Sequence, residues 1–320
     1  MAETSLLFGS TGAGKTTALG EASAYLYKST GGNIGRAIYS DIGGYKPIQG
    51  LVDAGVIEVY NIAGEPNIPK LLHHLALGYW PEKLEKGMRP AGSKLKPPTD
   101  ETWDKVGFYL YEGVTSSAEL IMKFLRDKQI PIGGEAVGKF SIDDGADKML
   151  FCSNNMKHYD FAQSEMLVVI GEFSTLPCAK VIMTAQEAQG QDDDTRDTIR
   201  GAAFVGKAAT SKVGKNVGDY IHIETYAKAD PAQQGQVLVT NRRAYFMAHP
   251  DPKFANIMYN CKPRIPLTEV SEVLKQFPGG WFDPARLGEY LEACDRAVAR
   301  STDKVRAWKA AADAELQAAR

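Results

Sequence analysis

A glycine-rich stretch near the N-terminus, GSTGAGKTT at residues 9–17, combines the residue types and the spacing that bind phosphate groups. Gly9 is followed by four residues and then by Gly14, Lys15 and Thr16, which satisfies the phosphate-loop pattern GxxxxGK with a following Ser or Thr. Glycines there permit the dihedral angles with which successive backbone N–H groups point at one anion. We expect the phosphates of a nucleotide to contact Gly9, Ser10, Thr11, Gly12, Ala13, Gly14, Lys15, Thr16 and Thr17.

The two residues after the last glycine have separate expected roles at a nucleoside triphosphate. Lys15 would reach the β- and γ-phosphates, and the hydroxyl of Thr16 would bind Mg²⁺. The flanking sequence agrees, because SLLF before the loop is strand-like and ALGEASAYLYK after it has a helix-forming composition. These flanks disfavour the alternative of a chance glycine-rich turn. The sequence therefore predicts ATP and Mg²⁺ as cofactors, although no base-reading motif distinguishes ATP from GTP.

The elements that must position this loop alternate between strand-like and helix-like segments. RAIYSD predicts a strand that ends in the carboxylate of Asp41, YKPIQGLVDAG predicts a short helix, and VIEVYNI predicts a further strand. This alternation is typical of an α/β fold with a mostly parallel, doubly wound sheet flanked by helices. Strands of such a sheet present side chains to ligands at their carboxyl ends, so we expect Asp41 near the phosphates.

Two later predicted strands also end in polar side chains. VGFYLYEG ends near Glu112, whose carboxylate would hold Mg²⁺ through water or orient the attacking water. The alternative is that Glu112 caps the helix that follows, since acids are favoured near helix N-termini. AKVIMTAQ ends in Gln186, a polar side chain placed to sense the γ-phosphate. Together with Lys15 and Asp41, these two residues form the predicted catalytic set.

A glycine-containing segment after Gln186 carries a run of basic residues. They would grip the phosphates of a nucleic acid or of a neighbouring subunit's nucleotide. A solvated surface loop is the alternative interpretation. The basic residues are Arg196, Arg200, Lys207, Lys212 and Lys215. Arg242 and Arg243, between the predicted strands GQVLVTN and AYFMAH, are instead interpreted as an exposed hairpin tip without a catalytic role.

The chain is expected to divide into a nucleotide-binding core over residues 1–262 and a helical C-terminal extension over residues 263–320. Surface excursions from the core are expected near residues 81–105 and 129–160, where Gly, Pro and charged residues interrupt the pattern. In the extension, a final helix capped near Ser301 would dock its apolar stripe on the core, with docking on a neighbouring subunit as the alternative. That stripe comprises Val305, Trp308 and Leu316.

Composition limits the compartment and the partners. With 37 basic and 39 acidic residues, the formal net charge is −2, so no broad positive field would attract nucleic acid or an anionic membrane. The four cysteines form no CxxC pair, which disfavours a zinc site and a disulfide framework. The sequence contains no apolar run of membrane-spanning length and no signal-peptide pattern. We therefore expect a cytoplasmic protein without a membrane partner.

The order of these motifs resembles the RecA-like ATPases, especially the reduced bacteriophage forms that assist recombination or single-strand annealing. The resemblance covers residues 5 to about 226. It implies that Asp41 activates water and that Gln186 links the state of the γ-phosphate to a DNA-binding loop, here the basic segment. The second family motif usually has Asp followed by Ser, whereas this chain has Glu112 and Gly113. A phage-encoded member would act in the host cytoplasm.

Several functions are compatible with these residues. The first hypothesis is an ATPase that acts on DNA, expected to be single-stranded, and self-associates into a ring or filament. In such an assembly a neighbour would supply a cation from Lys207, Lys212 or Lys215. The second is a nucleotide-gated assembly or binding module with little hydrolysis, which the substitution at Glu112 keeps open. A DNA-packaging motor and a small-molecule kinase rank lower, because no acidic nuclease cluster and no arginine-rich lid is evident.

Overall fold

The structure is a computed structural model that describes residues 2–41, 44–132, 134, 138–143, 148–191, 198–204, 213–229, 238–251, 257–259 and 261–318. The helices in these ranges are α1 Lys15–Ser29, α2 Gln49–Asp53, α3 Ile68–Ala76, α4 Asp100–Trp103, α5 Val114–Asp127, α6 Met156–Phe173, α7 Val270–Gln276 and α8 Leu287–Ala318. The strands are β1 Glu3–Gly9, β2 Ile34–Tyr39, β3 Ile57–Asn61, β4 Trp80–Pro81, β5 Leu95–Lys96, β6 Val106–Glu112, β7 Gly138–Asp143, β8 Lys148–Ser153, β9 Lys180–Gln191, β10 Thr198–Ala202, β11 Asp219–Ala229, β12 Leu238–Tyr245, β13 His249–Pro250, β14 Met258–Tyr259 and β15 Trp281–Phe282.

A mostly parallel sheet forms the centre of the protein. Its described strands run in the order β3-β2-β6-β9-β1-β11-β12-β15, and the first six of these strands are parallel. β12 and β15 extend the sheet in antiparallel fashion. The second half of β9 leaves β1 and pairs with β10, which pairs in turn with β14. The α/β class and the mostly parallel sheet expected from the sequence are therefore confirmed.

Helices cover both faces of the sheet, which explains the nearly continuous apolar runs in its strands. On β1, Leu6 and Phe8 pack in the cluster that includes residues of α3, α5 and α6. Leu7, between them, packs in the opposite cluster with residues of α1 and α8. Successive side chains of a strand point to opposite faces, so a strand buried on both sides needs an apolar residue at each position. The carboxyl ends of β1, β2, β6 and β9 then converge at one edge, beside the phosphate loop.

One predicted connection is wrong. The expected hairpin tip at Arg242 and Arg243 lies inside β12, which pairs with β11 along its whole length. In this pairing Arg243 is opposite Glu224 and Arg242 is opposite Thr225. Opposite charges on facing positions stabilise antiparallel pairs, so the two arginines do not interrupt the strand. From the local sequence alone, two adjacent arginines predict an exposed turn, whereas the pairing of β12 with β11 places both of them inside a strand.

The C-terminal helix also differs from the prediction. α8 is one continuous helix, and it does not begin anew near Ser301. Its first half is buried against the core, with Tyr290 and Leu291 fully enclosed. The side chains of Val305 and Trp308, however, are 60% and 71% exposed, so their stripe does not dock on the core as expected. The side chain of Leu316 is outside the described part, and the domain boundary at residue 262 stays a prediction.

The two expected excursions have structure of their own. The first contains the β4–β5 hairpin and α4, and it buries Trp80 and Trp103 on either side of the Arg36 guanidinium, with each ring centroid 5.0 Å from Arg36 Cζ. The second contains the β7–β8 hairpin and the first turn of α6. None of the described helices combines the length and apolarity needed to cross a bilayer.

Candidate nucleotide-binding site

The predicted phosphate loop connects the end of β1 at Gly9 to the start of α1 at Lys15. Gly12 and Gly14 have φ values of 80° and 92°, in the region that favours glycine. A Cβ on Gly9 would clash with the carbonyl oxygen of Ile223 on β11, so the close strand approach requires glycine there. The loop thus opens onto the N-terminus of a 15-residue helix, where free N–H groups favour anions.

Lys15 lies within this loop. Its Nζ donates 2.9 Å hydrogen bonds to the carbonyl oxygens of Gly9 and Ser10. Burial lowers the pKa of Lys15, while the carboxylates of Glu112 and Glu187 oppose this shift. A buried ammonium is costly unless a negative charge accompanies it. A phosphate chain on the loop would provide that charge.

Thr16 and Glu112 meet directly across the cleft. The hydroxyl of Thr16 donates a 3.0 Å hydrogen bond to Glu112 Oε1, and Glu112 Oε2 is buried with no hydrogen-bond partner among the described residues. Burial raises the pKa of Glu112, against the opposing effects of the neighbouring Thr184 hydroxyl, the Thr16 hydrogen bond and the Lys15 charge. A hydroxyl and a carboxylate are the hard oxygen ligands that Mg²⁺ accepts beside phosphates and water. The pair therefore fits Mg²⁺.

This donor set does not amount to a closed metal cage. The described ranges contain no group of three or more His, Cys, Asp and Glu side chains that could hold a metal ion. Mg²⁺ in nucleotide sites usually has only one or two carboxylates and takes its other ligands from phosphates and water. The chemistry of the pair suits an ion that arrives with a nucleotide.

Asp41 lies at the carboxyl end of β2, on the far side of the same cleft. Its Oδ2 accepts a 3.2 Å hydrogen bond from the hydroxyl of Ser116 in the first turn of α5. The carboxylate is exposed and lines the cleft of about 350 Å³ that also contains Lys15, Thr16 and Glu112. The sheet therefore brings Asp41 to the place that the strand pattern predicted, while Ser116 was not anticipated.

Gln186 reaches the cleft from β9, where it pairs with Gly9. Its backbone N–H donates to Thr115 Oγ1 at 2.9 Å, and its carbonyl accepts from the N–H of Ala203 at 2.5 Å. The hydroxyl of Thr115 donates in turn to the carbonyl of Ala203 at 2.6 Å. The backbone at Gln186 is thus tied to the segment that follows β10.

Two of the five predicted basic contact residues lie in the described part of the chain. Arg196, Lys207 and Lys212 lie outside the described residues. Arg200 on β10 forms a 2.8 Å ion pair with Asp251, and its guanidinium lies 5.8 Å from the ring centroid of Tyr259. Lys215 is exposed on the short helical turn Gly214–Asn216. Of the two described residues, Lys215 is the one that a phosphate could reach without breaking a buried ion pair.

Arg242 is a cleft residue that the sequence interpretation missed. It lines the same cleft as Lys15 and Gln186. An added Cβ on Gly14 would lie 2.9 Å from Cδ and Nε of Arg242 and 3.2 Å from its Cζ. No local motif marks this arginine, because its position depends on the pairing of β12 with β11 and of β11 with β1.

A second carboxylate behind the loop was also missed. Glu187 Oε2 lies 3.2 Å from Nε2 of His222 on β11. Burial alone would raise the pKa of Glu187, but the hydrogen bond from His222 and nearby positive charge bring it below its ordinary value. His222 also contacts His249, with Nδ1 to Nε2 at 3.0 Å. Glu187 is therefore a half-buried carboxylate near Lys15 that contacts His222 and, at 3.5 Å, the guanidinium of Arg200.

Another cleft, of about 870 Å³, lies beside edge strand β3 and the β4–β5 hairpin. Arg36 lines it, but its guanidinium is 3.5 Å from Glu58 and donates to the carbonyl of Thr102 at 3.1 Å. Through these contacts Arg36 has a structural role, because it links β2 to Glu58 and Thr102. The smaller cleft contains the phosphate loop, the carboxylates and the hydroxyls, so its chemistry identifies it as the candidate site.

Comparisons with known proteins add little to this geometry. No protein-family model matches the chain, and no curated protein sequence matches it. Among solved structures, the chain is similar to a KaiC-like protein from the hyperthermophilic archaeon Pyrococcus horikoshii, with a TM-score of 0.35 and 10% identity. The similarity covers 76% of this chain and 77% of that protein. A likeness at this level assigns neither a family nor an activity.

Proposed function

We propose that the protein binds ATP with Mg²⁺ at the phosphate loop and hydrolyses the nucleotide as a RecA-like ATPase. The observation that carries this proposal is the contact between Thr16 and Glu112 beside Lys15. Two separate parts of the chain meet here, because Lys15 and Thr16 at the start of α1 lie beside Glu112 at the end of β6. Each of the three groups has the chemistry that a Mg²⁺-nucleotide needs.

The chain's own residues would divide the reaction among them. The ammonium of Lys15 would leave its carbonyl partners and contact the β- and γ-phosphates, and the N–H groups of α1 would hold the phosphate oxygens. Thr16 and Glu112 would hold Mg²⁺, which when bound neutralises charge on the β- and γ-phosphates. Asp41 would position the attacking water and accept its proton. Ser116 would orient the Asp41 carboxylate through their hydrogen bond.

The proposed role on DNA rests on Gln186. Its side chain is exposed in the cleft, while its backbone is bonded to Thr115 and Ala203. A change at the γ-phosphate that moves Gln186 would therefore also move Ala203, which lies within the basic segment. We propose that single-stranded DNA is the partner, in phage-type recombination or annealing, and that copies of the chain associate in a ring or filament.

Phosphate release from ATP tests the proposal. We expect turnover that requires Mg²⁺, rises with single-stranded DNA and disappears in Lys15→Ala. Lys28→Ala is the matched control, because Lys28 is an exposed lysine in the last turn of the same helix. Equal turnover in wild type and Lys15→Ala would rule out the phosphate loop as the active site. Turnover that ignores DNA would remove the DNA role and leave the ATPase.

A nucleotide-gated binding module is the second candidate. The observation in its favour is that Glu112 is buried and has a raised pKa, which weakens it as a ligand for Mg²⁺. In this case ATP would bind and change the assembly state of the protein without measurable phosphate release. Sedimentation with ATP and with ADP, beside the turnover assay, separates the two candidates.

A further inference from the structure

We infer that Arg242 is a phosphate-contacting residue that acts on the nucleotide bound by its own chain. This inference rests on the proposed nucleotide site and goes beyond it. The sheet brings Arg242 to the loop in two steps: β11 pairs with β1 in parallel, and β12 pairs with β11 in antiparallel fashion, with Arg242 opposite Thr225. The arginine therefore lies two strands away from β1, at the edge where the phosphate loop opens.

The contact with Gly14 locates the side chain. The Cδ, Nε and Cζ atoms of Arg242 occupy the space that a side chain on Gly14 would need. Gly14 is the N-cap of α1 and immediately precedes Lys15. The guanidinium thus lies over the part of the loop where backbone N–H groups would meet the phosphates.

In the part of the chain that the structure describes, no polar contact accounts for the position of Arg242. Among the described residues it has no hydrogen-bond or ion-pair partner, and it is exposed. Its neighbour Arg243 differs, because its guanidinium lies 4.5 Å from the ring centroids of both Tyr226 and Trp281. Neighbouring residues of one strand point to opposite faces, which places one arginine in an aromatic clamp and the other at the cleft.

The chemistry of the side chain defines the ligand class. A guanidinium stays charged at any physiological pH and offers paired donors that match two phosphate oxygens. Around it the cleft offers the phosphate loop, Lys15 and Gln186, and the carboxylates Asp41 and Glu112 line the same cleft. Within the described ranges, neither carboxylate forms an ion pair with Arg242. The ligand that fits is therefore the phosphate chain of a nucleoside di- or triphosphate.

This assignment changes the role expected of neighbouring subunits. The sequence interpretation assigns the missing cation to a lysine of the next copy. If Arg242 acts in cis, each chain balances the negative charge of its own nucleotide. A neighbouring subunit is then not needed to supply this positive charge.

Nucleotide titration tests the contact. We expect Arg242→Ala to bind a fluorescent ATP analogue about 10- to 100-fold more weakly than wild type, because a hydrogen-bonded charge pair contributes on that scale. Competition by ADP should weaken comparably, competition by adenosine should not change, and Arg242→Lys should recover part of the affinity. Arg306→Ala, which removes an exposed arginine on α8, should bind like wild type.

Two results would overturn the inference. One is that Arg242→Ala binds ATP with the same affinity as wild type. The other is equal weakening for ATP and adenosine, which would indicate a base contact or a distorted fold. If wild type binds no nucleotide while its unfolding curve is normal, the proposed function itself fails together with this inference.

Mixing variants tests whether the contact is made in cis. Lys15→Ala keeps Arg242 but lacks the loop ammonium, whereas Arg242→Ala keeps the loop. If Arg242 serves its own chain, the mixture should release no more phosphate than the sum of the two variants. Recovery on mixing would show that Arg242 reaches a neighbour's nucleotide and would overturn the assignment in cis.

Discussion

The hydroxyl of Thr16 and the carboxylate of Glu112 are joined by a 3.0 Å hydrogen bond that links the first turn of α1 to the end of β6. The second carboxylate oxygen of Glu112 is buried and has no hydrogen-bond partner in the described part of the chain. This geometry fits the role of a Mg²⁺ ligand that we propose for Glu112. The electrostatic potential in the cleft therefore depends on the charge of Glu112.

Glu112→Gln should raise the Mg²⁺ concentration that turnover requires. The amide keeps the shape of the side chain but loses the negative charge, so phosphate release should fall on the order of 100-fold. The measurement is phosphate release as a function of Mg²⁺ concentration. Glu21→Gln, at an exposed position of α1, is the matched control and should behave like wild type. Undiminished turnover in Glu112→Gln would show that this acid holds no metal.

Gly9→Ala should destabilise the fold through a steric clash rather than through lost chemistry. The new Cβ would meet the carbonyl of Ile223, and the overpacking that results from added atoms at a tightly packed position typically costs about 1–3 kcal/mol of unfolding free energy. Urea unfolding followed by circular dichroism measures the difference. Gly50→Ala in α2 is the control, because its Cβ meets nothing within 4 Å. Equal stability of the two variants would argue against the close approach of β1 and β11.

His249 should make the fold sensitive to mild acid. Burial and the neighbouring His222 lower the pKa of His249 to about 4, so it stays neutral in the folded protein while the unfolded chain takes up a proton below about pH 6.5. Stability is therefore lost as the pH falls from about 6.5 towards 4. After discounting for its partial exposure, we expect a loss of about 1 kcal/mol.

The acid effect can be assigned to this residue by substitution. His249→Gln cannot take up the proton, so its unfolding free energy should fall less than that of wild type between pH 7 and pH 5. Asp251 and the carbonyl of Pro250 also face His249 and favour its charged form, which limits the effect. An identical pH dependence in the variant and in wild type would contradict the assignment.

The two halves of α8 should respond differently to truncation of a large side chain. Tyr290 is fully buried and donates a 3.0 Å hydrogen bond to Asp219, so Tyr290→Ala should cost about 3–5 kcal/mol. Trp308 is 71% exposed, and Trp308→Ala should change stability by less than about 0.5 kcal/mol. Urea unfolding of both variants measures this. A large loss for Trp308→Ala would mean that its face is covered in solution.

Much of the fold was predictable because it depends on local patterns. The phosphate loop requires a fixed spacing and backbone angles that only glycine adopts easily, and the structure has Gly12 and Gly14 with positive φ. The alternation of strands and helices predicted a mostly parallel sheet flanked by helices. Asp41 and Glu112 follow or end their strands as predicted. The predicted strand end at Gln186 is wrong, because β9 continues to Gln191, where its second half pairs with β10. All three residues nevertheless line one cleft.

Strand pairing and helix packing decided the rest. Arg242 looks like part of a turn in the sequence, and only the register of β12 on β11 brings it beside Gly14. The exposure of Val305 and Trp308 depends on how far α8 extends past the core. The residue type of Trp308 alone does not indicate this length. The sequence alone determined the phosphate loop, because that motif is a property of consecutive residues. The tertiary structure alone determined which distant charges face it, because a strand's neighbours are set by contacts that adjacent residues do not encode.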